Sequence, residues 1–177
     1  MPEQEVVLNY RRDRYGRGGD HTPFLREGFT AVRVCEYCED YERTHQDVRT
    51  ENGIDYGDLA RYVDFNYLVR NIRINLATVM NLAQAPAPPT DVRIANAREL
   101  DNNTRLTWDP VPGATYEVLC RETDRPQWLP ALPMGLFGGV PASDHPSFYC
   151  PLSKDNYYFA VRAVSPGGHP SLPTVAK

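Results

Sequence analysis

The proline and alanine run at residues 85–90 constrains the fold more than any other feature, because it divides the chain. Proline lacks the backbone N–H and restricts the residue before it, so no helix continues through Pro86, Pro88 and Pro89. Runs of this composition favour extended conformations and form short, fairly stiff linkers. We therefore predict two domains, at residues 1–85 and 91–177, joined by a linker at 86–90.

The first domain alternates segments with strand and helix patterns. Residues 5–10 and 29–34 are apolar runs, which predict two buried strands. Between them, Thr22 and Pro23 are typical of a helix start, with Thr22 as the capping residue, and Gly28 suits the helix end. This order, followed by a long loop and a second helix, predicts an α/β layered domain.

The second helix of this domain is predicted at residues 59–84. Apolar residues recur there every three or four positions, as on the buried stripe of an amphipathic helix. They are Tyr62, Phe65, Leu68, Val69, Ile72, Leu76, Val79 and Leu82. The loop before the helix, at 35–58, is long, and long loops in compact domains are often functional.

The second domain has the pattern of short strands separated by turn residues. Alternation of apolar and polar residues predicts half-buried strands at 91–94, 104–108, 115–120 and 157–164. About ninety residues of this kind predict an all-β sandwich. Residues 128–146 are irregular and rich in proline, so we expect a surface loop there.

Composition excludes several classes of protein. The chain is 41% hydrophobic and 11% aromatic, which indicates a globular rather than a disordered protein. We expect no membrane span, because no apolar run is long enough, and we find no signal-peptide pattern at Met1. A net charge of −4 argues against a nucleic-acid partner, since such proteins usually carry a basic face. We expect export only if the native N-terminus carries a signal.

Four cues follow one another in the second domain. Pro88 and Pro89 precede the first strand, Trp108 ends the second, Tyr116 lies on the third, and strand 157–164 is followed by a glycine turn. In this order the region resembles a fibronectin type III module. The resemblance implies a spacer or a binding surface without catalysis of its own.

Four segments of the first domain also occur in a fixed order. Residues 19–24 read Gly-Asp-His-Thr-Pro-Phe, residues 28–33 Gly-Phe-Thr-Ala-Val-Arg, residues 44–47 Thr-His-Gln-Asp, and residues 64–68 Asp-Phe-Asn-Tyr-Leu. Together they resemble the C-terminal part of the dinuclear zinc aminopeptidases, metallopeptidase family twenty-eight. The resemblance implies an α/β/α sandwich in which a zinc-bound water attacks a peptide near its free amino terminus.

The resemblance assigns roles to four residues. His45 matches the last zinc-binding histidine of the family, and neutral imidazole is a good zinc ligand. Asp47 would brace that histidine or its loop. Asp20 and His21 would line or brace the active site, with helix capping as the alternative role of this pair. Thr44 departs from the family, many of whose members have an oxyanion-stabilising tyrosine at this position.

The family's site also needs further aspartate, glutamate and histidine ligands and a glutamate general base, and no matching segment supplies them here. A zinc ion takes about four ligands, so His45 alone would hold none. We therefore expect the C-terminal piece of a bacterial zinc exopeptidase, which binds no zinc and hydrolyses no peptide as this chain alone. An incomplete α/β half exposes strand edges, so we also expect self-association through it. The alternative is a non-catalytic binding protein that acts through the fibronectin-like module.

The four cysteines leave their pairing open. Cys35 and Cys38 form a Cys-x-x-Cys after a predicted strand, which is a poor zinc site without a second Cys or His pair nearby. A local disulfide or two free thiols are the interpretations we favour. Cys120 and Cys150 lie on predicted strands of the sandwich, which a disulfide between them would bridge.

Two groups of side chains are alternative ligand surfaces. Trp108, Tyr116 and Tyr158 are aromatic, but inward-facing aromatics of a sandwich usually belong to its core, and we favour that interpretation. The apolar residues of the 128–146 loop are better candidates for a contact surface, because exposed apolar patches often mark one. They are Trp128, Leu129, Leu132, Met134, Leu136 and Phe137.

Overall fold

A computed structural model describes residues 5–132 and 146–177. Its helices are α1 (His21–Arg26) and α2 (Phe65–Gln84), with a short 3-10 helix at Ala60–Tyr62. Its strands are β1 (Arg49–Glu51), β2 (Ile54–Tyr56), β3 (Arg93–Ile94), β4 (Thr104–Thr107), β5 (Thr115–Glu122), β6 (Ser147–Cys150), β7 (Tyr157–Val164) and β8 (Thr174–Val175). The chain divides into two compact units, Met1–Ile72 and Arg73–Lys177, with the division inside α2.

The two strands predicted in the first unit are wrong for the described structure. Residues 5–10 and 29–34 have no strand assignment, and their apolar side chains are exposed. A strand needs a neighbour to pair its backbone N–H and C=O groups, and the described residues provide none for these two segments. The predicted α/β layers therefore do not form among them, and the strand pairs between the described elements are all antiparallel.

The helix predicted after Thr22 forms, but its cap differs from the prediction. Asp20 occupies the N-cap position with helical backbone angles, and its side chain makes no capping hydrogen bond. Thr22 lies inside α1, where its N–H donates to the carbonyl oxygen of Gly19 at 3.0 Å. The helix ends at Arg26, and Gly28, predicted to follow its end, has a φ of 83°, the left-handed conformation that glycine adopts without strain.

The long loop contains a hairpin that the sequence analysis missed. β1 pairs with β2 in antiparallel register, with Thr50 opposite Asp55. Asn52 and Gly53 connect the strands with φ values of 51° and 79°. Asn-Gly with both residues in this region is the sequence preferred in two-residue hairpin turns, so the signal was present in the chain.

Helix α2 begins six residues later than predicted, because Asp64 caps it. The Asp64 carboxylate accepts a hydrogen bond from the N–H of Tyr67 at 3.0 Å, which is the usual N-cap arrangement. The prediction of a buried stripe is wrong for the described structure, since no residue of α2 is buried. No helix in the described part of the chain is long and apolar enough to cross a membrane.

The second unit is built from two antiparallel sheets, with strand orders β3-β4-β6 and β5-β7-β8. Side chains from both sheets form one hydrophobic core, which includes Leu106, Val118, Phe148 and Phe159. The predicted strands at 104–108, 115–120 and 157–164 are confirmed to within two residues at their ends. β6 and β8 were not predicted: β8 has two residues, and β6 follows the irregular 128–146 loop and pairs with the sequence-distant β4.

The aromatic residues of the sandwich divide between core and surface. Trp108 and Tyr116 are buried with ring centroids 5.2 Å apart, which confirms that they belong to the core. Tyr158 is 45% exposed, so the core interpretation is wrong for this residue. Of the proposed apolar contact loop, Trp128 is half-buried and Leu129 exposed, whereas Met134, Leu136 and Phe137 lie outside the described residues.

Candidate functional site

His45 closes the turn at residues 41–45 in an uncommon backbone conformation. Its φ of 55° lies in the left-handed region, which few residues other than glycine adopt. Its side chain is exposed. Such a conformation persists where the surrounding structure fixes it, so the neighbours of this turn hold the backbone that carries the imidazole of His45.

Two backbone hydrogen bonds attach the turn to its surroundings. The N–H of Arg43 donates to the carbonyl oxygen of Asp40 at 3.2 Å, and the N–H of Gly57 donates to that of Glu42 at 3.3 Å. Gly57 follows β2 with a φ of 93°, and a Cβ there would lie 2.8 Å from the Cα of Val48. Only glycine permits this approach, so the end of β2 can lie against Val48, three residues after the turn.

The Arg43 side chain makes three contacts around the turn. Its Nη1 donates a hydrogen bond to the carbonyl oxygen of Asp55. Its guanidinium carbon lies 3.8 Å from the ring centroid of Tyr62, within the range of a cation–π contact. Its Nε lies 3.3 Å from Oδ2 of Asp40. The turn is thus joined to β2 and to the 3-10 helix by one side chain.

Asp55 is the centre of the hydrogen bonds that hold the hairpin. Its Oδ1 accepts from the hydroxyl of Thr50 at 2.6 Å, and its Oδ2 accepts from the hydroxyl of Tyr62 at 2.8 Å and from Arg61. The hydrogen bonds from Thr50 and Tyr62 lower the pKa of Asp55 below its ordinary value, with a further contribution from Arg61. Asp55 is therefore an ionised anchor at neutral pH, not a proton donor.

A second charged cluster surrounds Glu39, just before the turn. Its carboxylate pairs with Arg14 and lies 3.6 Å from Arg17 and 3.9 Å from Arg33. Asp13 lies beside Arg14 and Arg33, and a hydrogen bond from the N–H of Arg14 lowers its pKa. These pairs join the segment before the turn to the residues around α1.

His21 belongs to this second cluster. It is the buried residue of α1, and its Nε2 lies 2.9 Å from the carbonyl oxygen of Arg12 and 3.6 Å from Asp13. Its Nδ1 is buried without a hydrogen-bond partner in the described chain. The structure thus gives His21 a packing role beside Asp13, and its role in lining an active site stays a prediction.

The two predicted aspartates lie at the surface. Asp20 and Asp47 are exposed. The carbonyl oxygen of Asp47, rather than its carboxylate, accepts a hydrogen bond from Arg49 at 3.4 Å. A bracing role for either carboxylate stays a prediction.

All four cysteines are free thiols in the structure. Cys35 and Cys38 are exposed, whereas Cys120 and Cys150 are buried in the core of the sandwich. Burial raises the pKa of both core thiols, so they are protonated at neutral pH. The disulfides that the sequence analysis left open stay a prediction.

The described residues do not form a zinc site among themselves. Within 5–132 and 146–177, no three His, Cys, Asp or Glu side chains are grouped so that they could hold a metal ion. Because zinc takes about four ligands, the imidazole of His45 has the donor chemistry of one ligand and not of a site. His45 was predicted from its motif, whereas no sequence pattern grouped Arg43, Asp55 and Tyr62 with it, because their contacts depend on the hairpin.

Comparison with known proteins gives a relation to zinc metalloproteases. The chain is 46% identical over 169 residues to a probable zinc metalloprotease of Pyrenophora teres f. teres, across 94% of this chain and 33% of that protein. A probable zinc metalloprotease of Leptosphaeria maculans is 46% identical over 162 residues, across 90% and 36%. One of Phaeosphaeria nodorum is 40% identical over 174 residues, across 96% and 34%. No family model matches the chain.

These relatives bear on two of the expectations. The chain spans about a third of the length of the curated relatives it matches. Their names support a relation to zinc-dependent peptidases, and hence zinc in the intact proteins. The relatives are fungal, so a bacterial origin finds no support.

Proposed function

We propose that the chain is the C-terminal part of a zinc-dependent exopeptidase of the aminopeptidase type. Its domains would be the peptidase-like residues 1–85, the linker 86–90 and a fibronectin type III-like sandwich at 91–177. The observation that carries the proposal is sequence identity of 46% along 94% of the chain to a protein named probable zinc metalloprotease. Within the zinc proteases, the resemblance of the motifs around His21 and His45 to those of the zinc aminopeptidases supports the aminopeptidase type.

The first unit supports an origin from a larger domain. Val6, Leu8, Phe29 and Val34 are each about 60% exposed, in two segments without strand partners among the described residues. Runs of exposed apolar side chains often mark a contact surface. Relatives about three times as long as the chain have the additional polypeptide that such a surface requires.

Within this proposal His45 supplies one zinc ligand and the rest of the longer protein supplies the others. Asp47 braces the segment after His45, and Asp20 and His21 support the neighbouring wall of the site. The substrate is a peptide with a free amino terminus. The 177-residue chain hydrolyses nothing by itself, because it lacks most ligands and a general base. The sandwich at 91–177 serves as a spacer or binding module.

The test compares two proteins. One is the complete gene product, expressed from the longest reading frame that contains these residues, and the other is the 177-residue chain. We expect the complete product to release amino acid from an aminoacyl-nitroanilide in a zinc-dependent manner, and the chain to release none. Zinc-dependent hydrolysis by the chain alone would contradict its predicted inactivity. A complete product that is folded but binds no zinc would instead favour a non-catalytic binding protein.

A further inference from the structure

We propose that Arg43 is a positioning residue that holds the turn at 41–45 and thereby sets the direction of the His45 imidazole. The inference rests on the proposed function, in which His45 is a zinc ligand. It adds a residue that the motif around His45 does not include. Arg43 does not touch the metal or the substrate in this account; it acts through the backbone that carries His45.

The turn needs a residue of this kind. His45 has a left-handed φ of 55° and an exposed side chain, so packing of its own side chain does not hold it. The two backbone hydrogen bonds to the turn end at Glu42 and Arg43, before His45 is reached. The ring of Tyr41 lies 5.2 Å from the guanidinium carbon of Arg17, and the side chain of Arg43, nearer to His45, contacts β2 and the 3-10 helix.

The contacts of Arg43 come from three separate segments, which is why one side chain can lock the turn. Asp40 precedes the turn, Asp55 belongs to β2, and Tyr62 belongs to the 3-10 helix. A planar guanidinium can donate hydrogen bonds in its plane while its face lies on an aromatic ring, whereas a lysine ammonium is a compact point charge without this planar fork. The arrangement therefore favours arginine over lysine.

The residues that Arg43 contacts in β2 and the 3-10 helix are themselves held by hydrogen bonds. The hydroxyl of Tyr62 donates to Asp55 at 2.8 Å, and Thr50 donates to the same carboxylate at 2.6 Å from the opposite strand. The hairpin register places Thr50 opposite Asp55. Because Asp55 and Tyr62 are joined to each other, Arg43 attaches the turn to a single braced unit.

The chain offers a matched control in Arg61. Its guanidinium also contacts Asp55, and it lies 5.0 Å from the ring centroid of Tyr62. None of its described contacts reaches residues 41–45. Loss of Arg61 therefore weakens the same Asp55–Tyr62 unit without releasing the turn, which separates positioning of His45 from general damage to the hairpin.

The experiment measures zinc affinity by chelator competition in the complete gene product. We compare His45→Ala, Arg43→Ala, Arg43→Lys and Arg61→Ala, with thermal melting to confirm that each variant is folded. We expect Arg43→Ala to weaken zinc binding about tenfold, the scale on which groups that orient ligands act. Arg43→Lys should not restore the affinity, and Arg61→Ala should stay within about twofold of the parent protein.

A second readout does not depend on the metal. Amide hydrogen exchange of Glu42 and Gly57, whose N–H groups donate to Asp40 and to Glu42, should accelerate at least tenfold in the metal-free Arg43→Ala protein and not in Arg61→Ala. The positioning role would be overturned if His45→Ala weakened zinc binding while Arg43→Ala and Arg61→Ala changed the zinc affinity equally. His45 would then still be a ligand. If His45→Ala leaves zinc affinity unchanged, the ligand assignment and the positioning role both fall.

Discussion

The exposed apolar segments of the first unit make a quantitative prediction about association. Val7 is 59% and Val32 82% exposed, in segments 5–10 and 29–34, which have no strand partners among the described residues. Full burial of a valine side chain contributes about 1.5–3 kcal/mol. Covering what these two valines expose would therefore contribute about 2–4 kcal/mol. That energy corresponds to a change of about 30- to 1,000-fold in a dissociation constant.

The perturbation is the pair Val7→Asp and Val32→Asp in the 177-residue chain. We expect the parent chain to self-associate through these segments. The dissociation constant of the double variant should be at least about 30-fold higher than that of the parent chain. Leu100→Asp is the matched control, because Leu100 is fully exposed in the turn before β4 and belongs to neither segment. Sedimentation equilibrium at several loading concentrations gives the dissociation constants. A parent chain that stays monomeric, or a control that dissociates as far as the double variant, would refute the reasoning.

Three further predictions concern stability and reactivity. Phe148→Ala should lower the free energy of unfolding, measured by urea titration, by about 3–5 kcal/mol, because its side chain is fully buried. Tyr149, the next residue, is 42% exposed, so Tyr149→Ala should lower the free energy of unfolding by less than half as much. The hydrogen bonds that lower the pKa of Asp55 stabilise the hairpin fully at pH values above its ordinary pKa of 3.8, and this stability is lost as pH falls through the lower pKa of the folded state. Hairpin amides should therefore exchange faster in acid than their intrinsic rate explains. Asp55→Asn should remove that acid dependence. Maleimide at neutral pH should label the exposed thiols of Cys35 and Cys38. It should label the buried thiols of Cys120 and Cys150 only when the chain is denatured. Equal labelling of all four thiols under native conditions would place the sandwich cysteines at the surface.

The sandwich was the part of the fold that its sequence predicted well. Alternation of apolar and polar residues is a local signal, and in β4 it places Leu106 in the core and Arg105 outside it. β8 was not predicted, because two residues are too few to show an alternation of apolar and polar residues. The segment of β6 follows the irregular 128–146 loop, and its four residues are held by pairing with β4, a contact distant in sequence.

The first unit shows where sequence reasoning fails. Residues 5–10 and 29–34 have the composition of buried strands, yet a strand forms only beside a neighbour, and none is supplied by the described residues. The same limit applies to Arg43. Its spacing from Asp55 and Tyr62 means nothing until the Asn52-Gly53 turn folds β1 onto β2 and brings the three together. A motif predicts a ligand role for His45, whereas no motif predicts the contacts that support its turn.

The most direct test of the account is the zinc content of the complete gene product, measured by inductively coupled plasma mass spectrometry with and without His45→Ala. The account predicts a zinc-loaded parent protein, a variant that retains its fold but loses bound zinc, and no stoichiometric zinc in the 177-residue chain. A variant that keeps the zinc content of the parent would contradict the account, because His45 would then not be a ligand.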